Sequence, residues 1–460
     1  MTAEISRREG LLASLFGASM VGLRALATGL PAWYLLDPRK ASAQDLQCLV
    51  SAQANLQYLI LSTSSAGDPI NCNCPGTYEA SDIIHPQQSE VASTQITLGG
   101  KAYGAALPWA PTTTSGGALD PSTLSRLHFF HHSTRTTVHG DQPKVMKLLG
   151  DLSGGEMFAS VIAKHLSTCF GTVQAEPIAL GAGSNASELV SFAGRTLPSI
   201  RPTQLKQLLT GSKTDPLVRL QSLRDSSLDQ LNMLAKSDGS AVQKQFLDTL
   251  ATSQTQVRAL AAQLSSTLSS ISDDGVKGQS LAAAALVAAN VTSVVTIRIP
   301  FGGDNHSDQN LQAEADQTVS GVQALQTLMG DLKSLNLQDK VTFATWNVFG
   351  RNLNAISKVT NRAGRDHYAN HAVTVMIGKN VLPGITGGPV ADSSGAYVAS
   401  AIDSSSGAAS SSGDIPADST HDAAARTLAA ALGIPASVMA SDFVASAGGK
   451  VVASALNTVP

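Results

Sequence analysis

Residues 291–378 limit the fold most strongly, because two apolar strand-like runs there are joined by one long amphipathic segment. The first run, VTSVVTIRIP, ends in Gly302-Gly303-Asp304-Asn305-His306. After it Leu311, Ala315, Val319, Val322, Leu325, Met329 and Leu332 recur every three or four residues, which gathers them on one face of a helix. The second run, VTFATW, leads into Phe349-Gly350-Arg351. A polar loop then carries Gly364-Arg365-Asp366-His367-Tyr368 ahead of a third run, AVTVMIG. Strand, helix and strand in that order predict a right-handed crossover and a parallel sheet. Loops at the carboxyl edge of such a sheet line its ligand crevice, so the ionisable clusters are expected to share one pocket.

Upstream, Tyr58–Leu61 is a continuous apolar run suited to a buried central strand. It leads into a turn carrying Asp68, whose carboxylate either serves metal or phosphate chemistry or caps its own backbone. Between Leu127 and Asp141 stand His128, His131, His132 and His139, interleaved with hydroxyls and Arg135. His131 and His132 do not alternate, which argues against joint ligation from one strand. The segment reads either as a polar loop after a strand or as a site segment. In the second case Ser133, Thr134 or Thr136 would be a hydroxyl nucleophile and the histidines proton-transfer groups. Thr134 and His139 are the catalytic candidates. TQITLGG and PIALGAG read as strands and 143–170 as helix. Leucine periodicity over 200–272, broken at Asp238-Gly239, predicts a helical hairpin inserted against the sheet. Residues 392–420 read as a flexible Ser/Gly-rich loop, and HDAAARTLAAALG as a last helix closed by Gly433.

A chain of 460 residues can bury one large core or two domains. Charged residues are 14% and the net charge is −3, which gives no case for nucleic-acid binding. Ser6-Arg7-Arg8 before LLASLFGASMVGLRALATGL, with Ala41-Ser42-Ala43 as a cleavage site, predicts a twin-arginine signal over 1–43 and a mature domain over 44–460. The expected partner is the twin-arginine export machinery and the expected destination the periplasm or beyond. Arg24 leaves the apolar run too short to span a bilayer, so no membrane span is expected after cleavage. In an oxidising compartment Cys48, Cys72, Cys74 and Cys169 allow three pairings. Cys72 and Cys74 are too close to bridge each other easily, so bonds from them to Cys48 and Cys169 are expected. The alternative, a Cys-x-Cys metal site, lacks a second thiol pair nearby.

Asp304 and His306 flank one residue in an extended turn and can reach one cation, and Asp366-His367 adds a second such pair. Arg351 and Arg365 offer forked donors to a tetrahedral oxyanion. The order GDPIN, GGDNH, helix, NVFGRN and GRDHYANHAVTVMIG resembles the exported bacterial family called domain of unknown function 1501, from about Leu56 to Gly433. That family belongs to the alkaline phosphatase and sulfatase superfamily. The resemblance implies a three-layer α/β sandwich on a mostly parallel sheet, with metal held at the carboxyl ends of the strands. It implies hydrolysis of a small phosphate or sulfate ester through a divalent ion of the zinc type. Asp68, Asp304, His306, Asp366 and His367 match its metal-site motifs, and Arg351 and Arg365 its Gly-Arg pairs. Gly303 stands where the family usually has tryptophan, Asn305 replaces threonine, and Val348 replaces the glutamate before Phe-Gly-Arg. Asn347 would face the other side of its strand. If that glutamate is a ligand, one side of the cation site is lost. The rival expectation is therefore a non-catalytic extracytoplasmic binding or surface protein that retains the fold.

Overall fold

An apolar strand buried along its whole length, β1 (Tyr58–Ser64), lies inside an eight-stranded sheet. The computed structural model describes residues 55–457 apart from 151–155, 173, 184–186, 188–189, 211–220, 238, 241–243, 245–263, 355–362 and 444–447. The other strands are β2 (Leu127–His132), β3 (Ile178–Leu180), β4 (Ser199–Ile200), β5 (Val294–Ile297), β6 (Val341–Asn347), β7 (Ala372–Ile377) and β8 (Gly384–Thr386). They are ordered β8-β2-β7-β6-β1-β5-β3-β4. β1 runs parallel to β6 and to β5, with Tyr58 opposite Val341 and Leu59 opposite Val294. β7 alone runs against its neighbours, pairing antiparallel with both β6 and β2. The protein is thus α/β with a mostly parallel central sheet.

Side-chain alternation along the strands divides the core in two. Tyr58 and Ile60 join Phe129, Val295 and Phe343 on one face, and Leu59 and Leu61 join Phe130, Ala344 and Trp346 on the other. Each face is covered by helices. Helices α1 (Phe158–Phe170) and α6 (Thr420–Ala431) pack with the Leu59 side, and α4 (Val276–Ala288) and α5 (Gln312–Ser334) with the Tyr58 side. This arrangement is consistent with a three-layer sandwich. α5 is the predicted amphipathic helix between β5 and β6, and it buries Ala315, Val322, Leu325, Leu328 and Leu332. Its start is set by Asp308, whose carboxylate accepts from the backbone N–H of Ala313 and Glu314, each at 2.8 Å.

The inserted region contains α2 (Pro202–Thr210) and α3 (Gln221–Ser237), and much of the predicted hairpin lies outside the described residues. The Ser/Gly-rich stretch forms hydrogen-bonded turns. Asp403 accepts from Ser405 and Ser406, Asp414 accepts from Ser404 and Lys450, and Ile402 and Ile415 are buried beneath them. Cys72 and Cys74 are free and buried while Cys169 is disulfide-bonded, which corrects the expected bonds from the Cys-x-Cys pair. The reason is burial: the short helix at Ile70–Asn73 places Cys72 with Ile83 and Leu353 and Cys74 in the larger core. The twin-arginine segment and its cleavage site lie outside the described residues. Among the described residues no helix is long and apolar enough to cross a membrane.

Candidate metal centre

The orientation of β7 assembles the site. Loops following β1, β2, β5 and β6 leave at the carboxyl edge of the parallel strands, and the loop before an antiparallel strand starts at that same edge. Arg365, Asp366 and His367, which precede β7, therefore meet Asp304 and His306, which follow β5. Two short contacts fasten these loops together. Gly364 N–H donates to His306 O at 2.8 Å, and Arg351 pairs with His367 in a two-residue antiparallel ladder. Glycine is required at 364, since a Cβ there would lie 1.6 Å from Asn305 O.

Four donor side chains converge at this edge. Asp304 is half exposed, with His139 Nε2 3.5 Å from Oδ2 and His367 Nε2 3.4 Å from Oδ1. His306 Nε2 lies 3.0 Å from Asp304 Oδ1 and 2.8 Å from His367 Nε2. His139, Asp304 and His367 form a group able to hold a metal ion, each offering one atom within 4.8 Å of the others. Ligand atoms on a tetrahedral ion with bonds near 2.0–2.1 Å lie about 3.4 Å apart; each histidine nitrogen stands at about that distance from Asp304, His139 from Oδ2 and His367 from Oδ1.

The histidine tautomers support the same reading. His139 Nδ1–H donates to Ser65 O at 2.6 Å and His367 Nδ1–H to Thr137 O at 2.7 Å. A carbonyl can only accept, so each neutral ring keeps a bare Nε2 lone pair turned toward Asp304. Backbone carbonyls behind ligating histidines are the usual outer partners of a metal centre. His306 presents Nδ1 to Asp366 Oδ1 at 3.3 Å. Partial burial works to raise the Asp304 pKa, but the Arg351 charge, with help from His306 and His367, outweighs it and holds the carboxyl below its usual range. Burial lowers the His367 pKa, only partly offset by its bond to Thr137, which favours the neutral ring a cation needs.

The two arginines expected to hold an oxyanion serve the scaffold. Arg351 is fully enclosed. Its Nε donates to Gly67 O at 2.7 Å, and its Nη2 donates to Ala66 O, Gly303 O and Asp304 Oδ1 at 2.8, 3.0 and 3.2 Å. One fork thus ties the loop after β1 to the loop after β5 and aims Asp304. Arg365 faces Glu314 across a wholly buried ion pair, with Nε 2.8 Å and Nη2 3.1 Å from its carboxylate oxygens. Asn73 and Asn305 fill the other acceptor positions of Glu314, so the pair is fully hydrogen-bonded. Glu314 is absent from the predicted site, yet its position was legible: it is an acid three residues after Leu311, on the apolar face of α5.

Asp68 is enclosed and is not part of the His139–Asp304–His367 group. Its carboxylate accepts from Ser64 Oγ at 3.1 Å and Phe301 N–H at 3.2 Å, joining the ends of β1 and β5, and burial raises its pKa. Thr134 Oγ donates to Ala369 O at 3.3 Å and Ser133 Oγ to Ala417 O at 2.9 Å. Val348 is buried in the core on the α1/α6 side of the sheet, and Asn347 donates to Asp68 O. Of the histidine-rich segment only His139 reaches the donor group. His128, His131 and His132 belong to β2 and are buried. His128 donates to Leu382 O and accepts from Thr386 Oγ, and His132 donates to Ser133 O and accepts from Thr374 Oγ. His131 donates to Pro75 O and accepts from His371 Nε2, which leaves His371 Nδ1 to accept from Asn71. Burial lowers the pKa of each of the three strand histidines to about 4, so they are neutral core residues.

Fold and site together define an α/β protein with a His/Asp donor group at the carboxyl edge of a mostly parallel sheet. The chain belongs to the family described as Protein of unknown function (DUF1501), whose model matches residues 151–406. That span includes Asp304, His306, Arg351, Arg365, Asp366 and His367, while Asp68 and His139 precede it. No curated protein and no solved structure matches the chain.

Proposed function

We propose that this protein is a metal-dependent hydrolase of phosphate or sulfate esters, exported by the twin-arginine route, with His139, Asp304 and His367 holding one divalent ion of the zinc type. The observation that carries the reading is the pinning of His139 and His367 by Ser65 and Thr137 carbonyls, which turns both Nε2 lone pairs onto Asp304. Three protein ligands on a half-exposed edge leave a position open, as in catalytic rather than structural zinc sites. When bound, the ion would polarise an ester oxygen and acidify a water. His306 has Nε2 3.0 Å from Asp304 Oδ1 and 2.8 Å from the bare His367 Nε2, both acceptors, so it carries the Nε2–H and would donate that proton to the leaving oxygen, while the ion-acidified water would lose its own proton to solvent. Water is the nucleophile in this reading, because the Ser133 and Thr134 hydroxyls donate to backbone carbonyls.

Two observations favour the rival reading, a binding or surface protein without catalysis: Arg351 already pairs with Asp304, and Val348 brings no further carboxylate. Metal stripping, isothermal titration with zinc and manganese, and turnover of p-nitrophenyl phosphate and sulfate separate the two. The hydrolase reading expects one ion per chain and turnover that falls about 10²- to 10⁴-fold in His306→Gln. Tight metal binding without turnover of any ester favours the binding protein, and no metal uptake contradicts the centre itself.

A further inference from the structure

Phe349 lies against the donor group although it has no polar atom to offer. It is fully buried, and its ring stacks on His367 with centroids 4.3 Å apart and planes 28° apart. The His139 ring stands 5.0 Å from it at 58°, and the Arg351 guanidinium carbon 5.5 Å from its centroid. The turn after β1 is shaped to admit this ring. Gly67 adopts φ +66°, and a Cβ there would lie 1.9 Å from Phe349 Cε2. A hydrogen bond at Nδ1 fixes one point of an imidazole and leaves the ring able to swing about that bond. Contact with a rigid aromatic ring restricts the swing, and with it the direction of Nε2.

We propose that Phe349 is a positioning residue: its ring sets the planes of His139 and His367 and backs the guanidinium that aims Asp304, so that all three donors meet at one point. The proposal rests on the metal reading of this site. A ring that only filled space would affect stability and leave donor alignment unchanged.

The test begins in metal-free protein, with histidine Cε1–H NMR signals assigned through His367→Gln and His139→Gln. Phe349→Leu is expected to move the His367 signal, by loss of the ring-current shift, and to leave the His128 signal in place. Zinc titration of the same variant is expected to show a Kd raised about 10- to 100-fold, the range for losing an outer partner of a ligating histidine. Gly67→Ala crowds the ring, and because Gly67 O also holds Arg351 it should raise Kd by at least as much as Phe349→Leu does. An unmoved His367 signal, or an unchanged zinc Kd in folded Phe349→Leu, overturns the proposal. If Phe349→Leu does not fold, Phe349→Met and Gly67→Ala are judged by the same two readouts. Wild-type protein that binds no zinc defeats the metal reading itself, whereas an unchanged zinc Kd in Phe349→Leu beside a wild type that binds zinc defeats only the role of Phe349.

Discussion

Asp304 accepts from a buried arginine, stands beside three imidazoles and still exposes half its surface, so its charge serves whatever enters from solvent. Asp304→Asn keeps the shape and removes the charge, and zinc affinity measured by calorimetry should fall at least tenfold; the enclosed Arg351 loses its carboxylate partner as well, so the thermal midpoint should drop too. Unchanged affinity would show that the ion, if any, lies elsewhere. The buried histidines act on stability instead. Above their ordinary pKa of about 6.5, His128, His131 and His132 are neutral in folded and unfolded chain alike. As pH falls from 6.5 towards 4 the unfolded chain takes up protons that the folded one refuses, because burial holds these pKa values near 4. Stability should drop through that window by up to about 1.4 kcal/mol per pH unit per histidine, then stop changing on their account below it. Urea midpoints measured from pH 7 to 4 check this, and His128→Gln should flatten the slope. A slope identical to wild type would mean that His128 titrates normally.

Among the elements, α5 and the loops it braces depend on a wholly buried ion pair. Glu314→Gln leaves the Arg365 guanidinium buried without its counter-charge, and urea unfolding should show a loss of about 3–5 kcal/mol. A loss below about 1 kcal/mol would mean that water reaches Arg365. The strand–helix–strand order around α5 and the central place of β1 were legible, because a 3.6-residue period and an unbroken apolar run are local signals. That Asp304, His306, Asp366 and His367 meet was legible from their places at strand ends. The antiparallel course of β7 was not, since it is set by non-local pairing, with β6 across the intervening loop and with β2 far back in the chain, and it is the reason that a cluster preceding a strand shares an edge with clusters following others. Nor could sequence show that Arg351 and Arg365 spend their donors on the scaffold, or that Ser65 and Thr137 carbonyls stand behind the histidines. Backbone atoms are the same in every residue, and only the folded chain selects which of them become partners.

At the scale of the whole molecule, two separate claims meet: that the chain leaves the cytoplasm and that the sheet edge holds an ion. Export is tested by Arg7→Lys with Arg8→Lys, which should retain the precursor in the cytoplasm in fractionated cells; normal secretion of that variant rules out the twin-arginine route. The ion is tested most directly by anomalous diffraction from zinc-soaked crystals of the stripped protein. One anomalous peak is predicted about 2 Å from His139 Nε2, His367 Nε2 and an Asp304 carboxylate oxygen, with Arg351 still bonded to Asp304. No peak at that edge in crystals soaked at millimolar zinc, or zinc bound only elsewhere on the molecule, would contradict the account.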